Sequence, residues 1–247
     1  MARERWQVLL DHAMRHVKGL PQRYALGGGT VLRLFYDHRD SNDIDIFLFD
    51  PQLLAYVSPR TNDTLEDEMS DYLETEYFTK LKFPEGEIDF IPASNLTGLM
   101  PESRGVDGHT LPVEHPVEII AKKVHYRLKH FKSRDVFDLL TVYKFAREAL
   151  CGKKSFFEPY IKPLRERCQL LLESGLFQQE VQNFHILPGG EEILREYETL
   201  LHGFYEDFSP DTAVDPFYSV SNMAHLRRGA EALDAGLGVE HELQGKE

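Results

Sequence analysis

Two aspartates separated by one isoleucine, Asp43 and Asp45, are the residues of this chain best suited to catalysis. They open an apolar run, Ile46 to Phe49, that is typical of a buried strand. Because side chains alternate between the two faces of a strand, both carboxylates are expected on one face, with Ile44 in the core. Paired carboxylates suit Mg²⁺. The spacing therefore predicts a metal site.

Three consecutive glycines precede this pair and lead into Thr30, after which apolar residues recur at helical spacing as far as Tyr36. Glycines let the backbone pass close to an anion, and the free N–H groups at a helix N-terminus bind phosphate. We expect Gly28, Gly29 and Thr30 to hold a triphosphate, with the Thr30 hydroxyl taking part. Ser41 is assigned to the same site. An ordinary strand-to-helix turn is the competing interpretation.

A third acid, Asp89, lies in a strand of a predicted hairpin, between Ile88 and Phe90. A buried carboxylate is costly unless a cation or a donor pairs with it. We therefore expect Asp89 to join Asp43 and Asp45 as a metal ligand. Two alternatives remain open, since the acid can face outward at a sheet edge and Glu87 can supply the carboxylate instead.

Overall charge argues against a protein that coats nucleic acid. The 247 residues carry a net charge of −13, and phosphate binding over a broad face needs clustered Lys and Arg. One basic segment, residues 121–134, nevertheless contains six Lys or Arg and no acid. Taken alone it is a solvated helix face. No apolar run is long enough to span a membrane, so we expect a cytoplasmic protein.

The periodicity predicts two subdomains and a tail. Residues 1–115 contain the candidate strands, and residues 116–234 show helical spacing that would complete the site, whereas residues 235–247 have the composition of a flexible tail. Between residues 51 and 79 we expect helix contacts from several apolar residues, Tyr72 and Leu73 among them.

Four ordered blocks carry a resemblance to a known family. They are Leu26-Gly-Gly-Gly-Thr-Val-Leu-x-Leu, Arg39-x-Ser-x-Asp-Ile-Asp45, Ile120-Ala-Lys-Lys-Val-x-x-x-Leu128 and Ser133-Arg-Asp-Val-Phe-Asp-Leu-Leu140. The first two, with Asp89, resemble the nucleotidyltransferase fold of the DNA polymerase beta superfamily. All four together resemble the AbiEii toxin-like nucleotidyltransferases. The resemblance covers residues 20–150 and implies an α+β fold, in which helices flank a mixed sheet and a helical subdomain follows it.

The resemblance also implies a reaction, the transfer of NMP from an NTP to an RNA (tRNA) or protein acceptor with Mg²⁺ or Mn²⁺. A cognate antitoxin is the implied partner. Lys123 matches the family's lysine and, with Arg127 one turn further on, is expected to reach the triphosphate; Lys122 competes for this role. Asp135 and Asp138 match a block that is functionally implicated in the family. They are expected to position the acceptor, the nucleotide or Lys123, and an ion pair between Arg134 and Asp138 is the simpler alternative.

Two other functions compete with catalytic transfer. A non-catalytic member of the fold would bind nucleotide or RNA and act through a partner, but it has no need for paired carboxylates. A phosphodiesterase or nuclease would use the same carboxylates with water as acceptor, and it would release NMP rather than pyrophosphate.

Overall fold

The computed structural model describes residues 3–61 and 69–209. Within these residues, the strands form one mixed sheet: β1 (Tyr24–Gly27), β2 (Ile44–Leu48), β3 (Asp71–Glu74), β4 (Thr79–Phe83), β5 (Gly86–Pro92), β6 (Glu102–Val106) and β7 (His109–Val113). Their order across the sheet is β3-β4-β5-β2-β1-β7-β6. β2 therefore lies at the centre, antiparallel to β1 and parallel to β5.

The two central strands bury one face and leave the other more open. Ile44, Ile46, Ile88 and Phe90 are fully buried, and they alternate with the residues of the second face. Helix α1 (Arg5–His16) packs on these strands through a stripe of apolar side chains at helical spacing. The apolar alternation thus fixes which face of β2 and β5 is left for polar side chains.

Helix α2 (Gly28–Tyr36) follows β1 without any intervening turn residue. Gly28, its first residue, has a φ of +72°, which a residue with a Cβ adopts only with strain. No separate turn therefore lies between the two elements: β1 ends at Gly27 and α2 begins at Gly28.

The helical half is built around one buried helix. It comprises α3 (Pro116–Arg127), α4 (Ser133–Phe145), α5 (Arg147–Cys151), α6 (Lys154–Glu173), α7 (Leu176–Val181) and α8 (Glu191–Phe208). Every residue of α4 from Asp135 to Tyr143 is buried, because α3, α7 and α8 all pack against it. Two acids of the fourth sequence block are therefore inside the protein.

The architecture confirms the predicted α+β fold, including the hairpin of β4 and β5 and the helices of the second half. The expectation of helix contacts at Tyr72 and Leu73 was wrong. Both belong to β3, an edge strand held by backbone pairing with β4, and both side chains are exposed. The short α7 was not predicted.

Met1–Phe208 group into one compact unit, which contains the sheet and the helices. The predicted boundary after residue 115 falls between β7 and α3, and the division into subdomains stays a proposal. The predicted tail, and residues 210–234 of the predicted helical subdomain, lie outside the described residues. Among the described helices, none combines the length and the apolar character needed to cross a membrane.

Candidate active site

The three predicted metal ligands lie on the open face of the central strands. Asp45 on β2 and Asp89 on β5 are direct neighbours in the parallel register. Asp43 immediately precedes β2 and shares the face of Asp45, because strand side chains repeat every second residue. The structure thus brings together the carboxylates that the sequence placed on one face.

Asp45 rests directly against the backbone of Gly28. A Cβ built on Gly28 would lie 1.8 Å from Oδ2 of Asp45, a distance that no side chain could tolerate. A Cβ on Gly29 would in turn lie 2.8 Å from the Ser41 hydroxyl and 2.9 Å from Nη2 of Arg39. The two glycines therefore keep the start of α2 open between a carboxylate and two polar side chains.

Thr30 is fully buried beneath this loop. Its hydroxyl lies 2.6 Å from the carbonyl oxygen of Asp43 and 3.2 Å from both oxygens of Ser41. These contacts fix the loop that presents Asp43. The Thr30 side chain is not among the residues that line the cleft, and its contact with a triphosphate stays a prediction.

Asp89 is the sheet carboxylate with the clearest need for a cation. Lys80 Nζ lies 3.1 Å from its Oδ2, whereas its Oδ1 is buried without a hydrogen-bond partner. Burial, followed by the negative charge of Asp45, raises the pKa of Asp89 to about 6. Glu87, the alternative ligand, is paired with Lys80, and its backbone N–H donates to Asp43.

A divalent metal fits this set through its chemistry. Burial raises the pKa of Asp45 as well, while the charges of Arg127 and Lys123 oppose that shift. Hard carboxylate oxygens, one of them unpartnered, are suited to Mg²⁺ or Mn²⁺. Across residues 3–61 and 69–209, no three His, Cys, Asp or Glu side chains are already gathered as a metal site.

The carboxylates of α4 occupy a different environment. Asp138 is fully buried and accepts bonds from Nε and Nη2 of Arg39, at 2.7 and 2.8 Å. His38 Nε2 lies 2.8 Å from its Oδ1, and Lys123 Nζ lies 2.9 Å from its Oδ2. Burial alone would raise the pKa of Asp138, but the charges of Arg39 and Lys123 hold it well below its usual value. The predicted pairing of Arg134 with Asp138 is absent from the ion pairs of the described residues.

Lys123 joins both acids of α4. Its ammonium lies 2.7 Å from Oδ1 of Asp135, in addition to its contact with Asp138. Asp135 is fully buried, and its Oδ2 accepts the backbone N–H of Lys132 at the start of α4. Of these residues only Lys123 lines the cleft. Asp135 and Asp138 are therefore connected to the cleft through the lysine that they share.

Lys122, the competitor of Lys123, points to another part of the cleft wall. It is only 3% exposed and forms a buried ion pair with Glu114. Its ammonium also lies 4.0 Å from the centre of the Phe47 ring. Burial raises the pKa of Glu114 to about 7 although Lys122 opposes the shift. The two adjacent lysines thus face separate partners.

A cleft of about 260 Å³ lies between the open face of the sheet and α3. Most of the predicted site residues line it, together with Arg134: Gly28, Gly29, Ser41, Asp43, Asp45, Asp89, Lys123 and Arg127. Arg127 is partly exposed and lies 3.7 Å from Oδ1 of Asp135, whereas Arg134 is exposed. One end of the cleft is therefore anionic and the facing helices are cationic.

A distant segment holds the loop between α2 and β2. Arg39 forms a backbone bridge with Ile186, and the N–H of Asp40 donates to the carbonyl of His185 at 2.8 Å. Gly189 N–H likewise donates to the carbonyl of Asp37 at 2.9 Å. The segment 185–190, between α7 and α8, therefore braces the loop that carries Arg39 and Ser41.

Sequence reasoning missed Arg39 and Lys80 as members of the site. Arg39 stood in a recognised block but had no assigned partner, and its bond to Asp138 spans 99 positions. Lys80 could have been found, because it lies opposite Asp89 in the hairpin register that the turn predicts.

A family profile and several solved structures match this chain. The family profile described as "Nucleotidyl transferase AbiEii toxin, Type IV TA system" matches residues 12–151. Among solved structures, the nucleotidyltransferase toxin MenT4 from Mycobacterium tuberculosis is 20% identical, with 56% of this chain covered and a TM-score of 0.38. The match spans 59% of MenT4. JHP933 from Helicobacter pylori is 16% identical, with 92% of this chain and 96% of JHP933 covered and a TM-score of 0.44. No significant match was found among curated proteins.

A mixed sheet that gathers carboxylates beside a glycine-started helix, matched by this profile over more than half of the chain, defines a nucleotidyltransferase. The resemblance drawn from the four sequence blocks is thereby confirmed. The chain belongs to the AbiEii nucleotidyltransferase toxin family.

Proposed function

We propose that this enzyme transfers a nucleoside monophosphate from an NTP to an acceptor hydroxyl in the cleft under α3. The acceptor oxygen forms a bond to the α-phosphorus, the bond to the β-phosphate oxygen breaks, and pyrophosphate leaves. The contact between Asp45 and Gly28 carries this proposal. This contact places Asp45, a candidate metal ligand, beside the backbone of Gly28, which can approach a phosphate closely because it carries no side chain.

The phosphates would lie at the start of α2. Backbone N–H groups of Gly28 and Gly29 and the hydroxyl of Ser41 supply neutral donors, as helix N-termini do for other anions. Arg39 adds positive charge beside Gly29, Lys123 adds it from α3, and Arg127 adds it from the partly exposed end of the same helix. These cations would attract the phosphates, and Arg39 and Lys123 share their charge with Asp135 and Asp138.

Asp43, Asp45 and Asp89 would hold Mg²⁺ or Mn²⁺. When bound, the metal supplies the positive charge that stabilises the attacking and leaving oxygens of an in-line displacement. Lys80 keeps Glu87 as a partner if Asp89 turns to a metal, so the exchange leaves no lysine charge unpaired. Asp135 and Asp138 are positioning residues, because they orient Lys123 and Arg39 rather than reach the substrate.

The acceptor that the charges favour is RNA, with tRNA as the probe of choice. Arg134 lines both the cleft and a neighbouring cavity, whose other lining residues are Lys132, Glu180, Asn183 and the half-buried Phe184. Cations beside an aromatic face suit a nucleic acid strand. A protein acceptor is the competing outcome. Family membership supports a toxin neutralised by a cognate antitoxin, and we extend that role to this chain.

The decisive experiment incubates the full chain with each α-labelled NTP, Mg²⁺, total tRNA and cell lysate, beside the Asp45→Asn variant. We expect labelled RNA and stoichiometric pyrophosphate with the wild type and neither product with the variant. Label on protein instead of RNA would show that the acceptor is a protein. Release of NMP without transfer would indicate a phosphodiesterase, and nucleotide binding without any product would indicate a non-catalytic member of the fold.

A further inference from the structure

One lysine shares the open face of the sheet with the candidate metal ligands. Lys80 on β4 lies opposite Asp89 on β5, and Asp89 lies opposite Asp45 on β2. The three residues therefore form a row across neighbouring strands, which are about 4.8 Å apart. All three line the cleft. Asp89 stands in the middle of the row, with a lysine on one side and a second carboxylate on the other.

Lys80 satisfies only one of the two oxygens of Asp89. Its ammonium donates to Oδ2 of Asp89 at 3.1 Å, and it is also paired with Glu87. Oδ1 of Asp89 is buried and has no hydrogen-bond partner among the described residues. A buried carboxylate oxygen without a partner is costly. Asp89 is therefore a carboxylate that already has one cation and still has an oxygen for another.

Lys80 and a divalent metal would compete for this carboxylate. An ammonium carries one charge and donates hydrogen bonds, whereas Mg²⁺ or Mn²⁺ carries two charges and binds carboxylate oxygens directly. Lys80 can release Asp89 without losing every partner, because its pairing with Glu87 remains. Its side chain is 23% exposed, so the ammonium also has access to water. The cation on Asp89 is therefore one that can be exchanged.

We propose that Lys80 is a positioning residue that holds Asp89 in the nucleotide-free enzyme and thereby lowers the affinity of the carboxylates for a divalent metal. The inference rests on the proposed function, because it concerns how that site is loaded. Mg²⁺ is commonly bound by one or two carboxylates together with substrate phosphates. The metal is therefore held firmly only when an NTP adds its phosphate oxygens, and Lys80 occupies Asp89 until then.

The test measures Mn²⁺ binding to the full chain without nucleotide, from the electron paramagnetic resonance signal of the free ion. Lys80→Met should bind Mn²⁺ at least about tenfold more tightly than the wild type, because Asp89 loses its competing cation. Lys82→Met is the matched control. Lys82 lies two residues further along β4, pairs with Asp71 and does not line the cleft. Its replacement should leave the affinity for Mn²⁺ unchanged.

A double-mutant cycle separates competition at Asp89 from the mere loss of a positive charge. Asp89→Asn removes the contested carboxylate, so adding Lys80→Met to it should change the affinity for Mn²⁺ by less than about threefold. Lys80→Arg keeps a cation beside Asp89 and should bind Mn²⁺ as the wild type does.

Two kinds of failure are distinguishable. Equal affinity of the wild type and Lys80→Met, or the same gain from Lys80→Met in the Asp89→Asn background, would overturn the inference and leave the proposed function intact. No binding of Mn²⁺ to the wild type or to any variant would overturn the metal role in the proposed function, and the inference with it.

Discussion

The sheet and helix α4 each carry aspartates near the cleft, and the two sets of aspartates differ in what surrounds them. Asp45 and Asp89 face an open cleft, and burial beside one another raises the pKa of each. Asp135 and Asp138 are fully buried, yet the pKa of each is lowered because Lys123 and Arg39 compensate them. The two sets therefore differ in whether lysine and arginine already balance their negative charge. Asp135 and Asp138 already have their cations, whereas Asp45 and Asp89 can take a new one.

The largest effect is expected from removing a compensated acid. Asp138→Ala should lower the free energy of unfolding by about 3–5 kcal/mol, because it leaves Arg39, Lys123 and His38 buried without their shared acceptor. Urea unfolding measures the change. As a control, Asp71→Ala removes an exposed partner of Lys82 and should change the free energy of unfolding far less. Equal effects of the two substitutions would show that the buried partners of Asp138 contribute no more to stability than an exposed ion pair does.

Replacing a carboxylate of the sheet should reduce activity without reducing stability. Asp45→Asn should reduce NMP transfer by at least about 10²-fold, since one charge-stabilising group is lost at the reacting phosphate. The melting temperature should stay the same or rise, because a repulsive and desolvated charge disappears. Initial rates and thermal melts of the same preparation give both quantities. A variant that loses stability together with activity would assign Asp45 to the structural set.

The pH dependence of stability should also separate the sets. The pKa of Asp89 is about 6 in the folded protein against an ordinary value of 3.8, so folding takes up a proton between these values. The ionised carboxylate therefore destabilises the folded state increasingly as pH rises from 3.8 to 6. Lowered pKa values at Asp135 and Asp138 instead contribute stability above 3.8 that is lost as pH falls.

The substitution Asp89→Asn tests whether the ionised Asp89 carboxylate destabilises the folded protein. Relative to the wild type, the variant should gain more stability at pH 7 than at pH 4.5, as measured by urea unfolding at the two pH values. Other titrating groups cancel in the difference between variant and wild type. A gain of the same size at both pH values would show that the folded pKa of Asp89 is not raised.

The smallest effect is expected at the mouth of the cleft. Arg134→Ala should raise the KM for RNA while leaving NTP binding almost unchanged, and the slope of log affinity against log salt should decrease by about one. Lys162→Ala, an exposed lysine of α6 that does not line the cleft, is the matched control. If both variants give the same salt slope as the wild type, Arg134 does not contact the acceptor backbone.

Local periodicity was enough to predict the sheet carboxylates. Asp43 and Asp45 follow from alternation on one strand, and Asp89 follows from a hairpin whose turn residues are visible in the sequence. These features depend on neighbours within a few residues. The same local signals predicted α2 and the helical character of the residues that follow residue 115, where apolar residues recur at helical spacing.

The ion pairs of Asp135 and Asp138 could not be predicted in this way. Whether Asp138 meets Arg39 or Arg134 depends on how α4 packs against the loop before β2, and no local pattern encodes that packing. The buried position of Thr30 has the same origin, since the hydroxyl is satisfied by the carbonyl of Asp43 across the loop. Side-chain partners across elements appear only with the tertiary structure.

The backbone bridge between Arg39 and Ile186 also has a consequence for synthesis. Chains are made from the N-terminus, and N-terminal segments fold first. A nascent chain therefore carries every glycine and carboxylate of the cleft well before the segment 185–190 that braces their loop has left the ribosome. The enzyme of a toxin family is thereby expected to acquire its full activity only after this segment has left the ribosome and paired with the loop.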